Sequence, residues 1–121
     1  MDKKRVLVVD DDQDLLKMMK MRLEAEGYEF MSASDGLEML NFLKKKKPDV
    51  ILLDIMLPGM DGYSSLREMR KDDEFKDIPV IILSAKEKKK VGDLFKLEGV
   101  SFFVEKPFET QDLLQKIRSV L

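Results

Sequence analysis

Val6-Leu-Val-Val9, Val50-Ile-Leu-Leu53 and Val80-Ile-Ile-Leu83 are continuously apolar, so a strand built from any of them has no face suited to water. Such strands belong in a sheet covered on both sides, the situation of parallel strands in α/β proteins. Longer stretches with apolar residues at helical spacing separate these runs, and the alternation describes βα units around a mostly parallel sheet. Five units can be counted, with strands at about Arg5 to Val9, Glu29 to Ala33, Val50 to Leu53, Val80 to Leu83 and Ser101 to Val104.

The first helix is expected at about Asp14 to Glu26, with Leu15, Met18, Met19, Arg22 and Leu23 at helical spacing and Gly27 as its stop. Ser34 or Asp35 caps the second, whose apolar face reads as Leu37, Leu40, Phe42 and Leu43. Lys44 to Lys47 then oppose the negative end of its dipole. A third helix is expected at about Tyr63 to Lys71, a fourth within Glu87 to Leu97 closed by Gly99, and a fifth at about Thr110 to Val120. Between the third strand and third helix, Pro58-Gly59 and Asp61-Gly62 read as turn chemistry supplying a fixed φ and positive-φ positions.

With 121 residues and no linker, repeat or low-complexity tract, residues 1–121 read as one domain that stops where its last helix stops. The apolar runs are far shorter than the roughly 20 residues needed to span a bilayer. No signal-peptide core follows Met1-Asp2-Lys3-Lys4-Arg5, so a cytoplasmic location without membrane association is expected. A net charge of −2 without an extended basic face argues against direct nucleic-acid binding. There is no cysteine and no histidine, which excludes thiol nucleophiles, zinc fingers, Ser-His-Asp triads and His-Glu-x-x-His metalloproteases. Covalent chemistry is left to Asp, Glu, Ser, Thr, Lys or Tyr.

The polar residues at the strand ends are therefore informative. Asp10, Asp11 and Asp12 follow the first strand, Asp54 the third, Ser84 the fourth and Lys106 the fifth. In open α/β sheets the ligand site lies at the carboxyl ends of the strands, near the point where strand order reverses. In a flavodoxin-like order 2-1-3-4-5, strands one and three are neighbours and their acids meet. Two carboxylates about 4 Å apart repel by roughly 4 kcal/mol at an effective dielectric of 20. Such a cluster needs a cation.

Val8-Val-Asp-Asp11, Leu53-Asp-Ile-Met-Leu-Pro-Gly-Met-Asp-Gly62, Ser84-Ala85 and Glu105-Lys-Pro-Phe108 together resemble the signature segments of the receiver domain of bacterial response regulators. The resemblance covers essentially the whole chain, in order. It implies a (βα)5 doubly wound fold of flavodoxin-like order and a phosphorelay function in two-component signalling. A partner histidine kinase, or a histidine phosphotransfer protein, would pass its phosphoryl group to Asp54. This accounts for the absence of histidine here, because the phosphohistidine belongs to the partner.

By the same resemblance Asp11 and Asp54 bind Mg²⁺ directly, with Mn²⁺ as a substitute, Met56 adds its backbone carbonyl, and Asp10 acts through a metal-bound water. Lys106 pairs with a phosphoryl oxygen, Ser84 senses the phosphoryl group, and Phe103 turns into the space vacated. The Lys106-Pro107 bond is expected to be cis. Asp12 reads as a helix cap or a solvated acid. The surface of the fourth helix, fifth strand and fifth helix would then control an output domain or target protein, or a homodimer formed on phosphorylation. The charged segment Lys86-Glu-Lys-Lys-Lys90 suits an acidic partner.

Two other classes compete. Phosphatases of the haloacid dehalogenase type also use a strand-end aspartate, but want a second acid two residues later, where this chain has Met56. A receiver-like interaction domain that takes no phosphate would not need Asp10, Asp11, Asp54, Ser84 and Lys106 together.

Overall fold

The computed structural model describes residues 3–55, 62–84 and 99–121. In chain order these form β1 (Arg5–Val9), α1 (Gln13–Ala25), β2 (Glu29–Ala33), α2 (Gly36–Lys45), β3 (Val50–Asp54), α3 (Gly62–Arg70), β4 (Val80–Ser84), β5 (Phe102–Glu105) and α4 (Thr110–Val120). The strands make one sheet of order β2-β1-β3-β4-β5, parallel throughout. This is the flavodoxin-like order expected from the sequence. The helix expected within Glu87 to Leu97 and the charged segment Lys86 to Lys90 lie outside the described residues, as do Met56 and Pro58-Gly59.

Every residue of β3 and β4 is buried, because both faces of the sheet are covered. Alternation along the strands divides the core into two layers. Leu7, Val9, Ile51, Leu53, Val80 and Ile82 pack with Met39 and Leu43 of α2 and Leu66 and Met69 of α3. Val6, Val8, Val50, Leu52, Ile81 and Leu83 pack with Leu16, Met19 and Leu23 of α1 and Leu113, Leu114 and Ile117 of α4. Truncating any of these leucines to alanine would cost about 2–5 kcal/mol through lost transfer energy and a residual cavity.

Two helices are rotated from the expected phase. In α1 the buried residues are Leu16, Met19 and Leu23, while Leu15 and Met18 are only partly covered. In α2 they are Gly36, Met39 and Leu43, and Leu37 is 57% exposed. Each helix starts at a cap the sequence offers, so the difference arises in docking on the sheet. Asp12 caps α1 by accepting from the Asp14 and Leu15 amides. Asp35 caps α2 by accepting from the Glu38 amide, while the Glu38 carboxylate accepts from the Ser34 amide. With the starts as expected, the inward face is the one whose residues fill the two layers, Leu16, Met19 and Leu23 in α1 and Met39 and Leu43 in α2.

Gly62 also departs from expectation. It is the first residue of α3 rather than a positive-φ turn position, and among the described residues only Gly27 and Gly99 have positive φ.

At the end of the sheet where the strands begin, Arg5 Nε donates to Glu29 Oε2 at 2.9 Å and Lys46 Nζ to Glu29 Oε1 at 2.7 Å. This triad links β1, β2 and the residue that ends α2. The functional candidates gather at the opposite end.

Candidate functional site

Parallel registry brings the strand ends to one level. Val9 lies opposite Leu53, Asp54 opposite Leu83, and Ser84 opposite Glu105. The chain leaving β1 therefore enters the volume occupied by Asp54. The Asp10 amide still donates to Ala33 O of β2 at 3.1 Å, which holds this residue to the sheet.

The three consecutive acids then diverge. Asp10 is completely buried, and its Oδ1 accepts from the Asp12 amide at 2.9 Å, closing a tight side-chain turn. Asp11 is exposed at the rim. Asp12 is exposed too, and Asp12 Oδ1 is taken by the α1 amides of Asp14 at 3.0 Å and Leu15 at 3.2 Å. It serves as a cap, one of the two roles read for it.

Lys106 enters from the far side. Its amide donates to Ser84 O at 2.6 Å, and its peptide bond to Pro107 is cis. Lys106 Nζ donates to Asp10 Oδ2 at 2.7 Å and to Asp54 Oδ2 at 3.2 Å. An ion pair with a wholly buried partner stands only if its hydrogen bonds are made. Here they are, since each Asp10 oxygen has a donor.

The electrostatics reflect this crowding. Burial pushes the Asp10 carboxyl above its usual range, against the lowering pull of the Lys106 and Asp12 hydrogen bonds, and the Asp54 charge pushes it further up. Burial alone would lower the Lys106 ammonium, but its hydrogen bond to Asp10 and the charges of Asp10 and Asp54 outweigh that and raise it. Lys106 is thus held as a cation.

One carboxylate oxygen each from Asp10, Asp11 and Asp54 lies within 4.8 Å of the others. An all-oxygen, all-carboxylate donor set without nitrogen or sulfur suits a hard divalent cation of the Mg²⁺ class. Lys106 offsets only part of the charge when all three acids are ionised, so the cluster can accept a further cation.

Ser84 is buried at the end of β4, beside Lys106. Phe103 is partly buried on β5, opposite Ile82 and packed against the layer that holds α2 and α3. The structure therefore brings Asp10, Asp11, Asp54, Ser84 and Lys106 to one edge and places Phe103 on the neighbouring strand. Met56 lies outside the described residues. A Cβ on Gly62 would meet the Asp54 main chain, a close approach that the sequence does not announce. A glycine immediately ahead of an amphipathic helix was the available signal, but it is shared by ordinary turns.

Comparison with known proteins bears on the family and the fold. Residues 6–118 match the response regulator receiver domain family. The probable transcriptional regulator ycf27 of Guillardia theta is 42% identical over 98% of this chain and 46% of its own length. Its namesake in Porphyridium aerugineum is 38% identical over the whole of this chain and 49% of its own. The chain thus spans about half the length of the curated relatives it matches. The solved structure of the chemotaxis protein CheY4 of Vibrio cholerae superposes with a TM-score of 0.92 at 30% identity, covering 99% of this chain and all of the other. With the sheet order, the strand-end acids and the family match over most of its length, the chain belongs to the response regulator receiver domains of two-component signalling.

Proposed function

We propose that this domain accepts a phosphoryl group on Asp54 from the phosphohistidine of a sensor histidine kinase or histidine phosphotransfer protein, and slowly hydrolyses it. The observation that carries this reading is the Lys106 ammonium lying between Asp10 and Asp54, with the Asp11 carboxylate within reach of both acids. An Asp54 oxygen attacks phosphorus as the P–N bond to the partner's imidazole breaks, and the departing nitrogen takes a proton. A carboxylate is a weak nucleophile toward a charged phosphoryl group, so rate comes from positioning and charge neutralisation. Lys106 supplies one fixed positive charge for a phosphoryl oxygen.

Asp10, Asp11 and Asp54, with the backbone carbonyl of Met56, would hold Mg²⁺, or Mn²⁺ in its place. When bound, the ion supplies positive charge against the phosphoryl oxygens. The Ser84 hydroxyl takes up a phosphoryl oxygen, and Phe103 moves with it. A local charge thereby biases a two-state surface that acts on an output domain or target protein, or promotes a homodimer. The curated relatives are about twice as long as this chain and are named as transcriptional regulators, which suits an output domain elsewhere in the whole protein. Among the described residues no helix is long and apolar enough to cross a membrane.

Incubation with acetyl phosphate and Mg²⁺, read by intact mass, tests the reading. A gain of one phosphoryl group that disappears in Asp54→Asn supports it. Rapid turnover of phosphate esters would indicate a phosphatase, and absence of any reaction an interaction domain.

A further inference from the structure

Gly62 opens α3 and is buried. A Cβ added there would lie 2.7 Å from Ile55 Cα, 2.8 Å from the Asp54 carbonyl oxygen and 3.4 Å from the Asp54 carbonyl carbon. All three atoms belong to the main chain, so no change of rotamer can relieve the first two contacts. Either the start of α3 or the end of β3 must move.

The packing decides which gives way. Leu66 and Met69 fasten α3 into the same core layer as Leu53 and Ile55, and both are almost completely buried. Moving the helix outward would open that layer along the length of α3. Ile55 is buried in that layer too, but it follows the last residue of β3 and lies beyond the β3–β4 register, which ends at Asp54 and Leu83. With both sides anchored in one layer, part of the displacement falls on the Asp54–Ile55 peptide.

Taking Asp54 as the acceptor, we infer that Gly62 is a positioning residue: its missing side chain lets α3 abut the Asp54 peptide and holds that carboxylate where Lys106 and Asp11 meet it. The Asp54 side chain has little tolerance for movement, since Oδ2 lies 3.2 Å from Lys106 Nζ. Misplacement of a reacting group by about 1 Å can cost 10²-fold in rate.

The test compares Gly62→Ala with Met69→Ala, which loosens the same helix near its other end. Rates of Asp54 phosphorylation by acetyl phosphate and Mg²⁺ are normalised to the folded fraction from circular dichroism. The ¹³C resonance of the Asp54 carboxyl is followed in each protein without phosphodonor. Gly62→Ala is expected to fold, to shift that resonance and to lose about 10- to 100-fold in rate per folded molecule. Met69→Ala should lose stability while keeping the wild-type resonance and rate. The inference is overturned if Gly62→Ala reacts at the wild-type rate, if both variants lose rate in proportion to stability, or if Gly62→Ala does not fold. Failure of the wild-type protein to take phosphate on Asp54 would instead overturn the acceptor reading; the Asp54 resonance would still report whether Gly62 positions that residue.

Discussion

Lys106 Nζ lies 2.7 Å from Asp10 Oδ2, joining residues 96 positions apart in sequence, and the carboxylate it meets is wholly buried. The same ammonium reaches Asp54. One cation thus restrains two acids whose mutual repulsion would otherwise oppose folding of this edge.

Lys106→Met should consequently destabilise the protein. Breaking a buried ion pair by removing one partner costs about 3 kcal/mol or more when the remaining charge stays buried. The loss should shrink toward about pH 4, because a protonated Asp10 no longer needs the ammonium. Urea unfolding without divalent cations at both pH values checks this. An equal loss at the two would show that Asp10 is not the group left stranded.

Divalent cation should replace part of that restraint. If Mg²⁺ binds the folded acid cluster alone, a concentration 100 times its dissociation constant adds about 2.7 kcal/mol of stability. Asp11→Asn should remove most of that gain and Asp12→Asn almost none, since Asp11 belongs to the oxygen cluster and Asp12 is committed to the α1 cap. Thermal melts over a Mg²⁺ titration distinguish the two. Equal responses from both variants would contradict the assignment of the cation to Asp10, Asp11 and Asp54.

The opposite edge should show ordinary acid sensitivity. The Lys46 hydrogen bond lowers the Glu29 carboxyl below its usual value of 4.5, Arg5 lowers it further, and desolvation partly opposes them. A depressed carboxyl contributes stability that is complete above its unfolded value and is lost as pH falls through the folded value. The difference in melting temperature between wild type and Glu29→Gln should therefore narrow from about pH 6 to about pH 3. A gap that widened on acidification would reverse the sign of this coupling.

Much of this was readable residue by residue. Continuous burial of β3 and β4 follows from runs apolar on both faces, and Asp12 and Asp35 are caps because short carboxylate side chains reach the first free amides of a helix. The phase of α2 is not legible in this way: Leu37, Leu40, Phe42 and Leu43 make an apolar set, yet the core takes Met39 and Leu43 and leaves Leu37 outward. Hydrophobicity marks that a helix is amphipathic; the sheet surface on which it packs decides the angle at which it docks.

By itself the sequence determined the kinds of element, their order, and that acids, a serine and a lysine close the strands, since those depend on short-range periodicity and on residue type. Tertiary structure decided which of three consecutive aspartates is buried, which carboxylates share Lys106, and why Gly62 carries no side chain. Each of these depends on distances between segments far apart in the chain. Those distances are set by parallel registry and by helices docked on opposite faces of the sheet, and no local pattern of residues encodes them.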